Sequence, residues 1–164
     1  MPRATLDTPL GPLALVSDGG ALTAVTFDPT RLGPEAGPAE ADHAEAGDAV
    51  LDAARDQLRR YFDGEPVAFT VPVRAAGTPF QQRVWATLCE IPHGATLSYG
   101  ALAARLGVPG GAQAVGAANG QNPVAVLVPC HRVVGADGAL VGYAGGIERK
   151  RALLALESRQ RSLF

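Results

Sequence analysis

Two short apolar stretches, Leu13-Ala14-Leu15-Val16 and Leu22-Thr23-Ala24-Val25-Thr26-Phe27, flank Asp18-Gly19-Gly20 near the start of the chain. β-prone runs on either side of a glycine-rich turn predict a β-hairpin over residues 11–27. The pattern then breaks: residues 28–47, rich in Pro, Gly, Ala and acidic side chains, read as a solvated loop. From Asp48 to Phe62 the apolar positions Val50, Leu51, Ala54, Leu58, Tyr61 and Phe62 recur at helical spacing, and Gly64 closes the segment. Residues 69–73 predict one more strand.

The second half has a helical rhythm. Thr78 is placed to cap a helix that begins at Pro79, where proline suits the first turn, and runs to Ile91 before Pro92-His93-Gly94. Ser98 caps a short helix over residues 99–106, ended by Gly107. After Val108-Pro109-Gly110 another follows over residues 111–119. Two short helices joined by a tight Gly/Pro turn form a helix-turn-helix pattern. The valine-rich run 124–128 predicts a strand leading into Pro129, and a last helix carries Leu153, Leu154 and Glu157. Ala75-Ala76-Gly77-Thr78 reads as a linker between domains 1–78 and 79–164. The expected class is α/β overall: an α+β amino-terminal domain with a small β-sheet, then a mainly helical carboxyl-terminal domain containing the helix-turn-helix.

Composition narrows the function. With 164 residues, 47% hydrophobic and 18% charged, the chain is expected to be globular, as one domain or two small ones. No apolar stretch approaches the roughly 20 residues that span a bilayer, so no membrane partner is expected. The first residues lack the apolar core of a signal peptide, and two cysteines do not make a disulfide scaffold, which points to the cytoplasm. His43, His93 and His131 are scattered, and no Cys/His cluster has zinc-ligand spacing, so no metal is expected. Charge is divided unevenly. Residues 1–78 hold 6 Lys/Arg against 12 Asp/Glu, whereas residues 79–164 hold 8 against 4. The net charge of −2 therefore hides a basic half suited to a polyanionic partner.

The second helix of the helix-turn-helix, Gly111-Ala112-Gln113-Ala114-Val115-Gly116-Ala117-Ala118, offers one polar side chain where base readout in the major groove needs several. Its smooth Ala/Gly surface suits close, sequence-independent contact in the minor groove, and equally suits packing against another helix.

Chemistry concentrates in Pro129-Cys130-His131-Arg132-Val133-Val134. A thiol reacts as its thiolate, which a neighbouring imidazole or guanidinium favours. A buried cysteine acting as a small hydrophobe has no use for such neighbours. If residues 130 and 131 continued a strand their side chains would face opposite ways, so a turn or an intervening water is required for them to cooperate. Glu157, near the end of the last helix, is disfavoured there by the helix dipole and should have a partner, for which His131 is the natural candidate.

These residues resemble the O6-alkylguanine-DNA alkyltransferase family, which moves an alkyl group from guanine irreversibly onto its own cysteine. The resemblance covers residues 80–157, through the Pro-Cys-His-Arg-Val-Val run, Asn122-Pro123 before it, and Gly142-Tyr143-Ala144-Gly145-Gly146 and Leu153-Leu154-Ala155-Leu156-Glu157 after it. The amino half also resembles the family's variable domain. The resemblance implies Cys130 as acceptor, His131 as base and Glu157 as the carboxylate orienting it. It implies Asn122 as a hinge, Tyr99 as a proton donor that also crowds the flipped nucleotide, and Arg132 as a structural support for the turn. Tyr99, Gly100, Gln113, Ala114 and Gly116 would meet DNA, and Val133, Tyr143, Ala144 and Gly145 would line the base pocket. The partner implied is double-stranded DNA carrying alkylated guanine, engaged through the minor groove by a monomer without a cofactor. The chain departs from the family at Gln113, where an arginine usually replaces the everted base; glutamine is shorter and uncharged. A lesion-binding module that does not repair, and a Cys–His hydrolase, are the alternative classes; Cys130 argues against the first, and the second leaves the helix-turn-helix unexplained.

Overall fold

The computed structural model describes residues 1–33 and 47–161, with the side chains of the last two left aside. Two compact units divide after Ala75. In the first, the expected hairpin is the second half of a three-stranded antiparallel sheet: β1 (Arg3–Thr8), β2 (Gly11–Ser17) and β3 (Leu22–Thr26). The β1 strand was not expected. Its alternation of Ala4, Leu6 and polar neighbours is too short to register by periodicity, and it is defined by pairing, from Arg3 opposite Val16 to Thr8 opposite Gly11. Between β2 and β3 the Asp18 carboxylate accepts from the backbone N–H groups of Gly20 and Ala21, closing the turn.

A helix, α1 (Ala49–Phe62), starts where the Asp48 side chain accepts from Leu51 N–H and lies against β1 and β2. It buries Leu51, Ala54, Leu58 and Tyr61 with Leu6, Leu13, Leu15 and Val25 from the sheet. Of the loop expected over residues 28–47, the described part includes a 3₁₀ turn at Pro29–Leu32 capped by Asp28, while residues 34–46 lie outside the described residues.

Residues 69–73 do not form the expected strand. The segment touches the sheet through a single parallel bridge, Leu22 with Val73. Pro66 and Pro72 have no N–H to donate, which limits a ladder here. Gln57 of α1 holds the segment instead, donating to Thr70 Oγ1 and accepting from Thr70 N–H.

The second unit opens with α2 (Pro79–Leu88) under a full capping box: Gln81 N–H donates to Thr78 Oγ1, and Thr78 N–H donates to Gln81 Oε1. Gly77 lies against the Trp85 ring so closely that a Cβ there would come within 2.4 Å of it. The Trp85 indole N–H donates to Ala118 O, tying α2 to the fourth helix. The helix-turn-helix consists of α3 (Tyr99–Arg105), capped by Ser98, and α4 (Ala112–Gly120), which has no side-chain cap. The chain ends in α5 (Ile147–Arg161).

Between α4 and α5 the structure corrects the sequence reading. Residues 124–128 are a turn rather than a strand: Val126 has φ 71°, and Val128 N–H donates back to Val124 O. A 3₁₀ turn then spans Cys130–Arg132. Two two-residue strands, β4 (Leu97–Ser98) and β5 (Val133–Val134), pair in parallel, Leu97 opposite Val133 and Ser98 opposite Val134. This short pairing sets the start of α3 beside the end of the cysteine turn. The small sheet in the amino-terminal unit and the helical carboxyl-terminal unit match the expected α/β class.

Candidate active site

The cysteine turn is held from both sides by amide side chains. Asn122 accepts from Val124 N–H at 3.0 Å and donates to Val128 O at 2.8 Å, closing residues 123–128 into a loop on one side chain. Asn119, on the last turn of α4, donates through Nδ2 to Cys130 O at 3.2 Å. Both amides are buried, as is Cys130. Apolar residues alone would favour extension of a valine-rich segment; two buried amides that satisfy its backbone make the turn the stable alternative.

Burial dominates the chemistry around His131 and Glu157, which are 0% and 1% exposed. The Glu157 carboxylate receives Arg132 Nε at 2.8 Å and Arg132 NH2 at 3.1 Å, and lies 2.7 Å from His131 Nε2. Arg132 also donates to Ile91 O at 2.7 Å. Burial pushes the Glu157 carboxyl upward, but hydrogen bonds and charge from His131 and Arg132 outweigh it and hold the group well below the usual carboxylate range. Burial pushes the His131 imidazole below its ordinary value, against the opposing pull of Glu157. Because burial is the larger influence, the neutral imidazole is favoured. Its proton is then on Nε2, donated to Glu157, which leaves the Nδ1 lone pair available as a base. Nδ1 is buried with no hydrogen-bond partner among the described residues.

Glu157 stands one turn inside α5, not at its end, on the face that also buries Lys150 and Leu153. Lys150 escaped the sequence reading, although its i, i+3, i+7 relation to Leu153 and Glu157 marks that face. Its Nζ donates to Val141 O at 3.0 Å and Gly142 O at 3.1 Å and lies 5.8 Å from the Tyr99 ring centroid. Burial lowers the Lys150 pKa, and attraction to the charge of Cys130 opposes that. A buried ammonium therefore stands within electrostatic range of the thiol, where it favours the thiolate.

Tyr99 opens α3 beside the cysteine turn, half-buried, its ring over Gly116 of α4, where a Cβ would sit 3.6 Å from Cε1. Its hydroxyl donates to Val141 O at 3.2 Å. Burial raises the phenol pKa, hydrogen bonding from Asn119 opposes the rise, and Cys130 adds to it, so the phenol keeps its proton at neutral pH.

The structure thus brings Cys130, His131, Arg132, Glu157, Tyr99 and Asn122 into one cluster. Val133 is buried at the start of β5 directly after the turn. Tyr143 and Gly145 are half-buried and Ala144 is exposed, in a loop anchored by Arg149 donating to Gly145 O. Gly100, Gln113 and Ala114 are exposed on the helix-turn-helix and take no part in the buried cluster. Along α4 the exposed positions are Gln113, Ala114, Ala117 and Gly120, one face with a single long polar side chain. Among the described residues no group of His, Cys, Asp or Glu is arranged to hold a metal ion, and no helix is long and apolar enough to cross a membrane.

Residues 79–159 match the family model for the DNA binding domain of 6-O-methylguanine DNA methyltransferase, and residues 1–75 match that for its ribonuclease-like domain. A methylated-DNA–protein-cysteine methyltransferase of Mycobacterium tuberculosis is 49% identical over 158 residues, covering 93% of this chain and 90% of the relative. One from Methanosarcina acetivorans is 42% identical, covering 94% and 96%. The crystal structure of Mycobacterium tuberculosis OGT in complex with DNA superposes with a TM-score of 0.84 at 47% identity, covering 96% of this chain and 93% of that one. The chain belongs to the 6-O-methylguanine DNA methyltransferase family.

Proposed function

We propose that this protein repairs DNA by transferring an alkyl group from O6 of guanine to its own Cys130, once per molecule, as a methylated-DNA–protein-cysteine methyltransferase. The observation that carries the reading is the buried cluster at the cysteine turn: Cys130 is followed by His131, whose Nε2 lies 2.7 Å from the Glu157 carboxylate. His131 Nδ1 accepts the thiol proton through an intervening water. The thiolate, with the Lys150 ammonium nearby, attacks the alkyl carbon; the S–C bond forms as the C–O6 bond breaks, and the electron pair leaves with the guanine. Tyr99, protonated at neutral pH, supplies the proton that neutralises the departing base. Holding thiolate and carbon in line contributes about 7–11 kcal/mol by proximity. The thioether has no ready route back, so the protein is consumed.

Delivery of the base falls to the carboxyl-terminal unit, residues 79–164. The exposed Ala/Gly face of α4 approaches the minor groove, and the damaged nucleotide is everted toward Val133 and the loop of Tyr143, Ala144 and Gly145. Asn122 serves as the hinge that keeps the cysteine turn closed, and Tyr99, Gly100, Ala114 and Gly116 face the nucleic acid. Gln113, exposed on the first turn of α4, occupies the place left by the base and hydrogen-bonds its orphaned partner.

Incubation with duplex DNA containing O6-methylguanine is expected to add one CH2 to the peptide holding Cys130, with one product per protein molecule. An adduct that persists in Cys130→Ala, or product in excess of protein, contradicts the proposal. Because His131 is depressed below its ordinary value, the single-turnover rate should stay level from pH 8 to about 6.5 and fall only below that, as the imidazole takes up a proton. Glu157→Gln should slow transfer roughly 10–100-fold and cost about 3–5 kcal/mol of stability by leaving Arg132 buried without a counter-charge. A rate that already declines between pH 8 and 7, or a Glu157→Gln rate equal to that of the parent, contradicts the relay. Gln113→Arg should speed repair of duplex lesions by about 5–30-fold, the equivalent of about 1–2 kcal/mol of guanidinium stacking, and single-stranded lesions less. An equal gain on both substrates removes the eversion role of position 113.

A further inference from the structure

Asn119 is a polar residue at a place where α4 otherwise carries small or apolar side chains toward the core. It is buried, and the function described above gives it no task. Which of its side-chain atoms is nitrogen follows from chemistry: the atom 3.2 Å from Cys130 O faces an acceptor and must be the NH2 group. Gly116, three residues earlier on the same face of α4, lies under the Tyr99 ring, so Asn119 stands one turn further along the helix face that meets Tyr99. Hydrogen bonding between the Asn119 amide and Tyr99 accords with this placement. The phenol meanwhile donates its own hydrogen to Val141 O.

We propose that Asn119 is a positioning residue for the transfer: one amide hydrogen fixes the Cys130 carbonyl and the other binds the Tyr99 oxygen, so that a single side chain sets the acceptor thiol and the proton donor relative to each other. A phenol that accepts one hydrogen bond is a stronger donor in the next, so the contact also readies Tyr99 to give its proton to the departing base. The Asn119 Oδ1 atom is buried without a partner among the described residues. This assignment rests on the reading of Tyr99 as proton donor and of Cys130 as acceptor.

A double-mutant cycle tests it. Asn119→Leu, alike in branching and number of heavy atoms and without donors, should slow single-turnover transfer from O6-methylguanine in duplex DNA roughly tenfold, the worth of one ordinary hydrogen bond. In a Tyr99→Phe background the same substitution should cost at least threefold less than in the parent, the remaining loss coming from the freed Cys130 carbonyl. Alkylation of Cys130 by iodoacetamide, whose leaving iodide takes no proton, should be slowed in Asn119→Leu clearly less than transfer from O6-methylguanine is. If Asn119→Leu does not fold, as judged by its thermal unfolding, Asn119→Ala removes the same two donors. An equal loss in the parent and Tyr99→Phe backgrounds, or an equal loss with iodoacetamide, overturns the proposal. Should the parent protein transfer no alkyl group at all, the proposed function fails, and the Asn119 contact is decided separately by NMR of ring-labelled tyrosine. The Tyr99 13Cζ resonance should shift in Asn119→Leu while those of Tyr61 and Tyr143 stay in place; an unmoved Tyr99 resonance overturns it.

Discussion

One carboxylate governs the cluster around Cys130. Glu157 has been taken out of water, which by itself would favour its neutral form, and it remains charged because Arg132 and His131 both direct N–H groups at it. Two consequences follow from the one contact. Arg132, bound to Glu157 and to Ile91 O, pins the far end of the Cys130–Arg132 turn to α5 and to the segment after α2. His131 directs Nε2 at Glu157, which leaves its other nitrogen, Nδ1, turned away. The same interaction therefore shapes the turn and orients the base. A buried arrangement of this kind contributes little net stability compared with an apolar core of the same volume, but is costly to break from one side. Its value here is chemical.

The rest of the unit arranges groups around that fixed point. The pairing of Leu97-Ser98 with Val133-Val134 is only two residues long, yet it brings Tyr99 and the cysteine turn together although they are 31 positions apart in sequence. Small residues on α4 let the Tyr99 ring lie against the helix, and the α4 residues turned outward leave a smooth exposed face. Lys150 ties α5 to the loop at Val141 and Gly142, the same loop whose carbonyl receives the Tyr99 hydroxyl. Thiol, phenol and ammonium are thus linked through backbone carbonyls as well as through charge.

Much of this was legible in the chain. Helices with clear start signals were placed to within a few residues: Thr78 before Pro79, Ser98 before Tyr99, Asp48 before Ala49. Local chemistry specifies such starts, because each cap satisfies its own helix. The failures share another cause. Residues 69–73 and 124–128 have strand-like composition, but their backbone partners are the side chains of Gln57 and Asn122, which no local pattern shows. β1 was missed because a six-residue strand is defined by what pairs with it. Among site residues, Cys130, His131 and Glu157 stood out through their motif and through a charge at an awkward helical position. Lys150 and Asn119 did not: a lysine on a helix and an asparagine before a turn have ordinary solvated explanations, and only burial distinguishes them.

Burial favours a neutral His131, and Glu157 fixes the remaining proton on Nε2, which leaves the Nδ1 lone pair to take the thiol proton. Imidazole 15N NMR of the histidine-labelled protein, with His131→Gln used to assign the resonance, measures this directly. A protonated Nε2 and a bare Nδ1 are expected at pH 7, unchanged as the pH is lowered until it passes below the ordinary histidine range. A proton on Nδ1 at pH 7, or an imidazolium with both nitrogens protonated there, would contradict it.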